Sequence, residues 1–218
     1  MGLDWSFVFA NIPIFAKALV LTLKISFFGI LGAVILGMLV SFLLYYQVRF
    51  LKNIAKFYIE LSRNTPLLIH LFFLYYGLGQ VGIKIDAYHC AVIGVIFLGG
   101  SYMAESFRMG LESVAKSQIE SAKALGLSTR QILGYVILPQ SLIYALPPLA
   151  ANVIFLLKET SVVSAIALVD VVFVTKDLIG TYYKTKETLL LLILTYLIVL
   201  LPLSLFFLWL ERRYKRIL

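Results

Sequence analysis

Four stretches of this chain, residues 25–48, 64–83, 131–157 and 188–210, contain no Asp, Glu, Lys or Arg. Each is long enough to cross the roughly 30 Å hydrocarbon layer as a helix, which takes about 20 mostly apolar residues. A weaker run covers 87–104, interrupted only by His89. The runs are continuous and do not alternate with period two, so they specify helices and not the strands of a barrel. Composition leaves little alternative. The chain is 61% hydrophobic and 14% charged, against about 45–50% and about 25% in soluble domains. The expectation is an all-α membrane protein, one domain over 1–218, with five transmembrane helices near 14–46, 56–79, 88–109, 140–166 and 188–210.

Orientation follows from Lys and Arg in the short loops. With the N-terminus outside, the inner segments hold Arg49, Lys52, Lys56, Arg63, Arg108, Lys116, Lys123, Arg130, Arg212, Arg213, Lys215 and Arg216. The outer loops hold only Lys84, Lys176, Lys184 and Lys186. This bias predicts the N-terminus outside and the C-terminus in the cytoplasm. The net charge of +8 is then a topology signal. Its positives are split among three segments and form no single patch for nucleic acid. One cysteine, Cys90, allows no internal disulfide, and two distant histidines argue against a metal site.

Within the spans, Gly29, Gly32 and Gly37 allow close approach of a neighbouring helix. Pro66 falls near the first turn of the second span, where a missing N–H costs little. Pro139, Pro147 and Pro148 are expected to break the start of the fourth, and Lys158–Glu159 to break its interior. The stretch "DVVFVTKDLIGTYYKT" is expected to form a short outer element.

The segment 112–139 is the polar exception. Glu112, Lys116, Glu120 and Lys123 follow one another at helical spacing and alternate in sign, predicting supporting pairs along one face. Gly126 is a helix stop, and Ser128 with Gln131 forms a capping-box pattern for a second helix. A solvated helix at the lipid headgroups and a helix docked in a protein groove both fit. Small residues and balanced charge suit the groove better than a lipid surface, which selects bulky apolar faces and excess Lys/Arg.

"ESAKALGLSTRQILGYVILP" (120–139) resembles the cytoplasmic-loop signature of ATP-binding-cassette importer permeases: EAA, three residues, G, nine residues, then I-x-L-P. Glu120, Ser121, Ala122, Gly126, Val136, Leu138 and Pro139 occupy its positions, with Ser121 and Val136 as mild departures. "RNTPLLIHLFFLYYGLG", "SYMAESFRMGLESVAKSQIESAKALG" and "PPLAANVIFLLKETSVVSAI" resemble the polar amino-acid branch of that family. The resemblance runs over most of the chain and implies the type I importer permease fold. It also implies half of a dimeric pore in a bacterial inner membrane, taking up amino acids of the glutamine, glutamate or basic class. The second half would be another copy or a homologue. A coupling helix at about 113–125 would dock on a cytoplasmic ATPase subunit through Glu120, Ser121, Ala122, Gly126, Leu138 and Pro139, with Ala122 small enough to enter the groove. An extracytoplasmic binding protein would deliver substrate. ATP and magnesium would belong to the partner, and no cofactor is expected in this chain. It has no G-x-x-x-x-G-K-[ST] loop, since "GTYYKTK" lacks the second glycine.

Ionisable residues in spans are candidates for a substrate path. Glu105 and Arg108 share a face, either as an interfacial pair or as part of the path. Glu159, Thr160 and Ser161, with Tyr102, would contact substrate if the helix unwinds near Lys158. The alternative is that Lys158 and Glu159 tie two subunits together. An ion-coupled carrier would need more spans and an internal repeat, and a membrane enzyme would need a His/Asp/Cys constellation. The sequence offers neither.

Overall fold

The computed structural model describes residues 2–214, so Lys215 and Arg216 of the orientation argument lie outside the described residues. Helix α1, Trp5–Tyr45, begins at Asp4, whose carboxylate accepts from the Phe7 N–H at 3.1 Å. Its 41 residues reach about 60 Å at 1.5 Å per residue, and it begins nine residues before the expected first span near 14–46. The start of this helix packs with α9 (Val171–Tyr182) through Val8, Phe15 and Ala18 against Val171, Val174 and Leu178. Lys184 Nζ donates to Asp4 Oδ2 at 2.9 Å, tying α1 to the head of α10 (Thr185–Tyr214).

The centre of the fold is the pairing of α1 with α5 (Ala87–Glu112). The buried stripe of α1 is made of small residues at helical spacing: Thr22, Ser26, Gly29, Ala33, Gly37 and Ser41. The three hydroxyls donate to the carbonyls of Ala18, Thr22 and Met38, so they satisfy themselves in an apolar seam. A Cβ on Gly37 would stand 2.5 Å from Met103 Cβ and 2.7 Å from the Ala104 backbone nitrogen. The opposite face carries Phe27, Phe28, Leu31, Ile35 and Leu39, all exposed, as lipid contact requires. Position numbers rise together along the seam, so the two helices run parallel. By contrast α8 (Leu138–Glu159) runs antiparallel to α5, with Ser141 against Gly110 at one end and Leu156 against Gly99 further along. Pro147 and Pro148 sit inside α8 without ending it, which corrects the expected break. The expected break at Lys158–Glu159 does form: the α-helix ends at Glu159 and tightens into a 3-10 segment, Thr160–Ile166, closed by Ala167 at φ +59°.

The expected second span is two pieces. Helix α2, Leu51–Arg63, lays Ala55, Ile59 and Ser62 inward, and its Tyr58 and Ser62 hydroxyls both donate to the Phe97 carbonyl, at 2.7 and 2.9 Å. After a break at Asn64–Pro66, α3 (Leu67–Phe72) continues through a π-turn, Phe73–Gly77, into α4 (Leu78–Gln80). Proline pushes the residue before it out of the α region and donates no N–H, so the helix cannot run through. The Leu61 carbonyl freed by the break is taken by Thr65 Oγ1 at 2.7 Å, and Glu60 O, which keeps the Asn64 N–H at 3.2 Å, also accepts from Asn64 Nδ2 at 2.7 Å. Tyr58 and Ser62 reach Phe97, while Leu67 and Leu71 meet Gly94. The break therefore lies near the middle of the 26-residue α5. Four helical segments are each long and apolar enough to span a membrane, and the divided α2–α4 run, with the shorter apolar stretch Leu67–Gln80, stands where the fifth span was expected.

Candidate functional site

The polar segment ends α5 later than its charge pattern suggests. Glu112 is the last residue of α5, and the polar helix α6 is Lys116–Ala124. The expected ladder of pairs is absent among the described residues. Glu112 instead accepts twice from Arg108, both at 2.9 Å, while Lys116, Glu120 and Lys123 have no ion-pair partner. Gly126 holds φ at +80°, and the Leu127 N–H returns to the Ala122 carbonyl at 3.2 Å, which closes α6 as a Schellman-type end. The capping box at Ser128 and Gln131 is formed and opens α7, Thr129–Gln131, followed by a π-helical turn, Ile132–Ile137.

Ala122 is turned into the chain against Leu111, Val114, Ile132 and Ile137, so its small size serves this packing first. Glu120 and Ser121 are exposed, as are Gly126 and Pro139, while Leu138 is half-buried. A shallow recess is lined by Ser117, Ser121, Ala122, Leu125, Leu127 and Val136. Leu125, which the sequence reading passed over, is 81% exposed at the tip of this polar segment. Leu125 and the recess beside it put an exposed apolar edge on an otherwise polar segment.

A second site lies at the helix break. A cavity of about 300 Å³ is lined by Arg63, Asn64, Thr65, Pro66 and Leu67 from the break, Leu98 and Tyr102 from α5, and Phe155 and Glu159 from α8. Glu159 is half-buried with no ion-pair partner among the described residues, and neither is Lys158 paired. The Arg63 guanidinium lies 5.2 Å over the Tyr102 ring. The cavity thus sets one cation and one carboxylate, with Asn64 and Thr65, beside apolar Leu67, Leu98 and Phe155 at the depth of the helix break, where charge is costly unless it has a task. Thr160 does not join it: fully buried, its hydroxyl donates back to the Leu157 carbonyl at 2.7 Å. Ser161 is half-buried outside this lining. The sequence reading counted Arg63 only as a topology marker. The signal was present in "RNTP", polar residues leading into a proline within an apolar stretch.

Glu105 and Arg108 lie elsewhere. They pair on one face, Arg108 Nη2 to Glu105 Oε2 at 2.8 Å and Nε to Oε1 at 3.3 Å. With Lys52, Lys56, Glu60, Arg63 and Glu112 they line a larger polar cavity of about 540 Å³, toward the end that carries α6. At the opposite end Asp170 is fully buried as the N-cap of α9, its Oδ1 accepting from the Phe173 N–H at 2.8 Å. Burial pushes this carboxyl up to about 6, with Phe173 and Lys176 pulling it down less.

Membrane-spanning helices thus carry a polar helix-turn-helix loop at one end, a helix broken at mid-depth and a cavity holding both signs of charge. Residues 33–216 match the family described as binding-protein-dependent transport system inner membrane component, and the chain belongs to that family. It is thus a multi-pass inner-membrane permease subunit of an ATP-binding-cassette importer, a class in which ATP hydrolysis resides in a separate chain. The chain is 32% identical to the glutamine transport system permease protein GlnP of Escherichia coli K12, over 99% of both. To the probable amino-acid ABC transporter permease protein PatM of Vibrio harveyi it is 31% identical, over 99% of this chain and 98% of that one. Its structure superposes on an amino acid ABC transporter crystallised with histidines at TM-score 0.91 and 30% identity, covering 98% of this chain and 100% of that one. The fold is also that of the MetNI methionine ABC transporter, at TM-score 0.74 and 18% identity.

Proposed function

We propose that the chain imports polar amino acids of the glutamine, glutamate or basic class, as half of a dimeric pore. In this reading its N-terminus lies outside and α6 faces the cytoplasm, where Glu120, Ser121, Leu125 and Gly126 meet the ATPase subunit. ATP and magnesium are held by that partner. A binding protein delivers substrate from the side of α9. The single observation that carries the substrate assignment is the mid-bundle cavity, whose two charged walls match an α-amino acid zwitterion. Arg63 offers the planar donor fork suited to a carboxylate, and unpaired Glu159 suits the ammonium. The helix break gives such a site its usual setting, with irregular backbone tolerated where it lines a cavity. The names of the glutamine and amino-acid permeases that match over the whole chain point to the same substrate class.

The test is uptake by the full complex in liposomes, with ATP inside and each of the twenty radiolabelled amino acids presented by the binding protein. A polar amino acid is expected to accumulate. Glu159→Gln is expected to lower kcat/KM at least about tenfold, the size of one charge-assisted hydrogen bond. Wild-type uptake by Glu159→Gln would remove the ammonium assignment.

A further inference from the structure

Arg63 borders both cavities. It closes the mid-bundle one, stacked on Tyr102, and also lines the larger polar one toward α6. Its hold there is loose: Nη1 stands 3.9 Å from Glu105 Oε2, and the side chain is 43% exposed. Glu105 is already engaged by Arg108 through both oxygens, and Arg108 is clamped from its other side by Glu112. Of the two arginines beside Glu105, Arg108 is locked between two carboxylates, whereas Arg63 has one long contact to a carboxylate and its stacking on Tyr102. An arginine keeps its charge at any physiological pH, so Arg63 always has a guanidinium fork to offer. It sits at the last residue of α2, directly before the break.

We propose that the larger cavity is a release site for the same substrate, and that Arg63 carries the substrate carboxylate from one cavity to the other. This rests on the mid-bundle cavity being the amino-acid site. Glu105 is the counter-ion that draws Arg63 back. With the upper cavity filled, the substrate carboxylate replaces the Glu105 contact. As the side chain swings toward Glu105, it brings the carboxylate to the polar cavity, where Lys56 stands ready to compete for it and Glu60 to receive the ammonium. Glu105 is thus a positioning residue, acting through Arg63.

The test uses the full complex in liposomes and the radiolabelled amino acid that wild type takes up fastest from the panel of twenty. Glu105→Gln removes the competitor for Arg63, so substrate is held more tightly and leaves more slowly. KM and kcat should fall together, each about threefold, the worth of a part-exposed ion pair. Glu105→Asp keeps the charge and should restore most of kcat. A loss of folded protein alone would lower kcat without lowering KM, so an unchanged or raised KM in Glu105→Gln overturns the shuttle. Uptake that survives Glu159→Gln unaltered refutes the upper site itself, a different result from a shuttle that fails above an intact site.

Discussion

Leu125 gives the sharpest measure of the docking idea. Leu125→Ala deletes three carbons from a side chain that is 81% exposed, so nearly all of their burial must come from a partner. At about 0.8 kcal/mol per buried CH₂, the loss is about 2 kcal/mol, or roughly 30-fold in affinity for one docking site. In the proposed dimer two such contacts would act together, and the effect can approach twice that free energy. The chain's own fold gains nothing from the exposed leucine, so thermal stability should stay within about 0.5 kcal/mol. The assay is titration of the purified ATPase subunit onto permease in nanodiscs, with wild type and variant side by side. Binding within twofold of wild type would show that Leu125 faces water or lipid in the complex, and the docking surface would have to be sought elsewhere. A large drop in melting temperature would show instead that the residue is structural.

Two further outcomes are expected. Gly37→Ala places a Cβ 2.5 Å from Met103 Cβ and 2.7 Å from a backbone nitrogen, so α1 and α5 must part. The cost is about 1–3 kcal/mol, read as a lower melting temperature in detergent, and an unchanged melting temperature would refute the tight seam. Asp170→Asn keeps an N-cap residue and removes a carboxyl whose folded pKa, about 6, lies above its ordinary 3.8. The folded state then binds the proton more tightly than the unfolded one, so this group stabilises below about pH 4 and loses that contribution as pH rises through 6. Wild-type stability relative to Asp170→Asn should fall between pH 4 and pH 7, by on the order of 3 kcal/mol at most; a flat difference would show that the carboxyl is not desolvated.

The fold was legible wherever hydropathy alone decides. Charge-free runs place α1, α5, α8 and α10, because lipid admits only helices that satisfy their own backbone. The capping box and the Gly126 stop were legible for a similar reason, since each is a local pattern with one geometry. The divided second span was not, because Pro66 was placed in the first turn of one helix, where it is tolerated, whereas it stands between two helical pieces, α2 and α3. Ala122 was assigned to a partner's groove by the resemblance alone, and only the return of 132–137 shows that its side chain packs within this chain. Arg63 escaped notice because its neighbours Tyr102 and Glu159 come from distant parts of the chain. Conversely, Thr160 entered the list through proximity to Glu159 in sequence, whereas a 3-10 turn rotates it inward.

The three glycines of α1 lie beneath Val95, Ile96 and Met103 of α5, and this restricts how the bundle can change shape. An axial slip of one residue, about 1.5 Å, would carry each of these side chains out of the gap its glycine leaves and toward the Cβ of the next residue in the stripe, such as Ser26, Ala33 or Ser41. The two helices behave as a rack and its mate, free to travel together but unable to shear. Rearrangement must then be absorbed by the pieces hung around that spine, foremost the hinge that Pro66 cuts between α2 and α3.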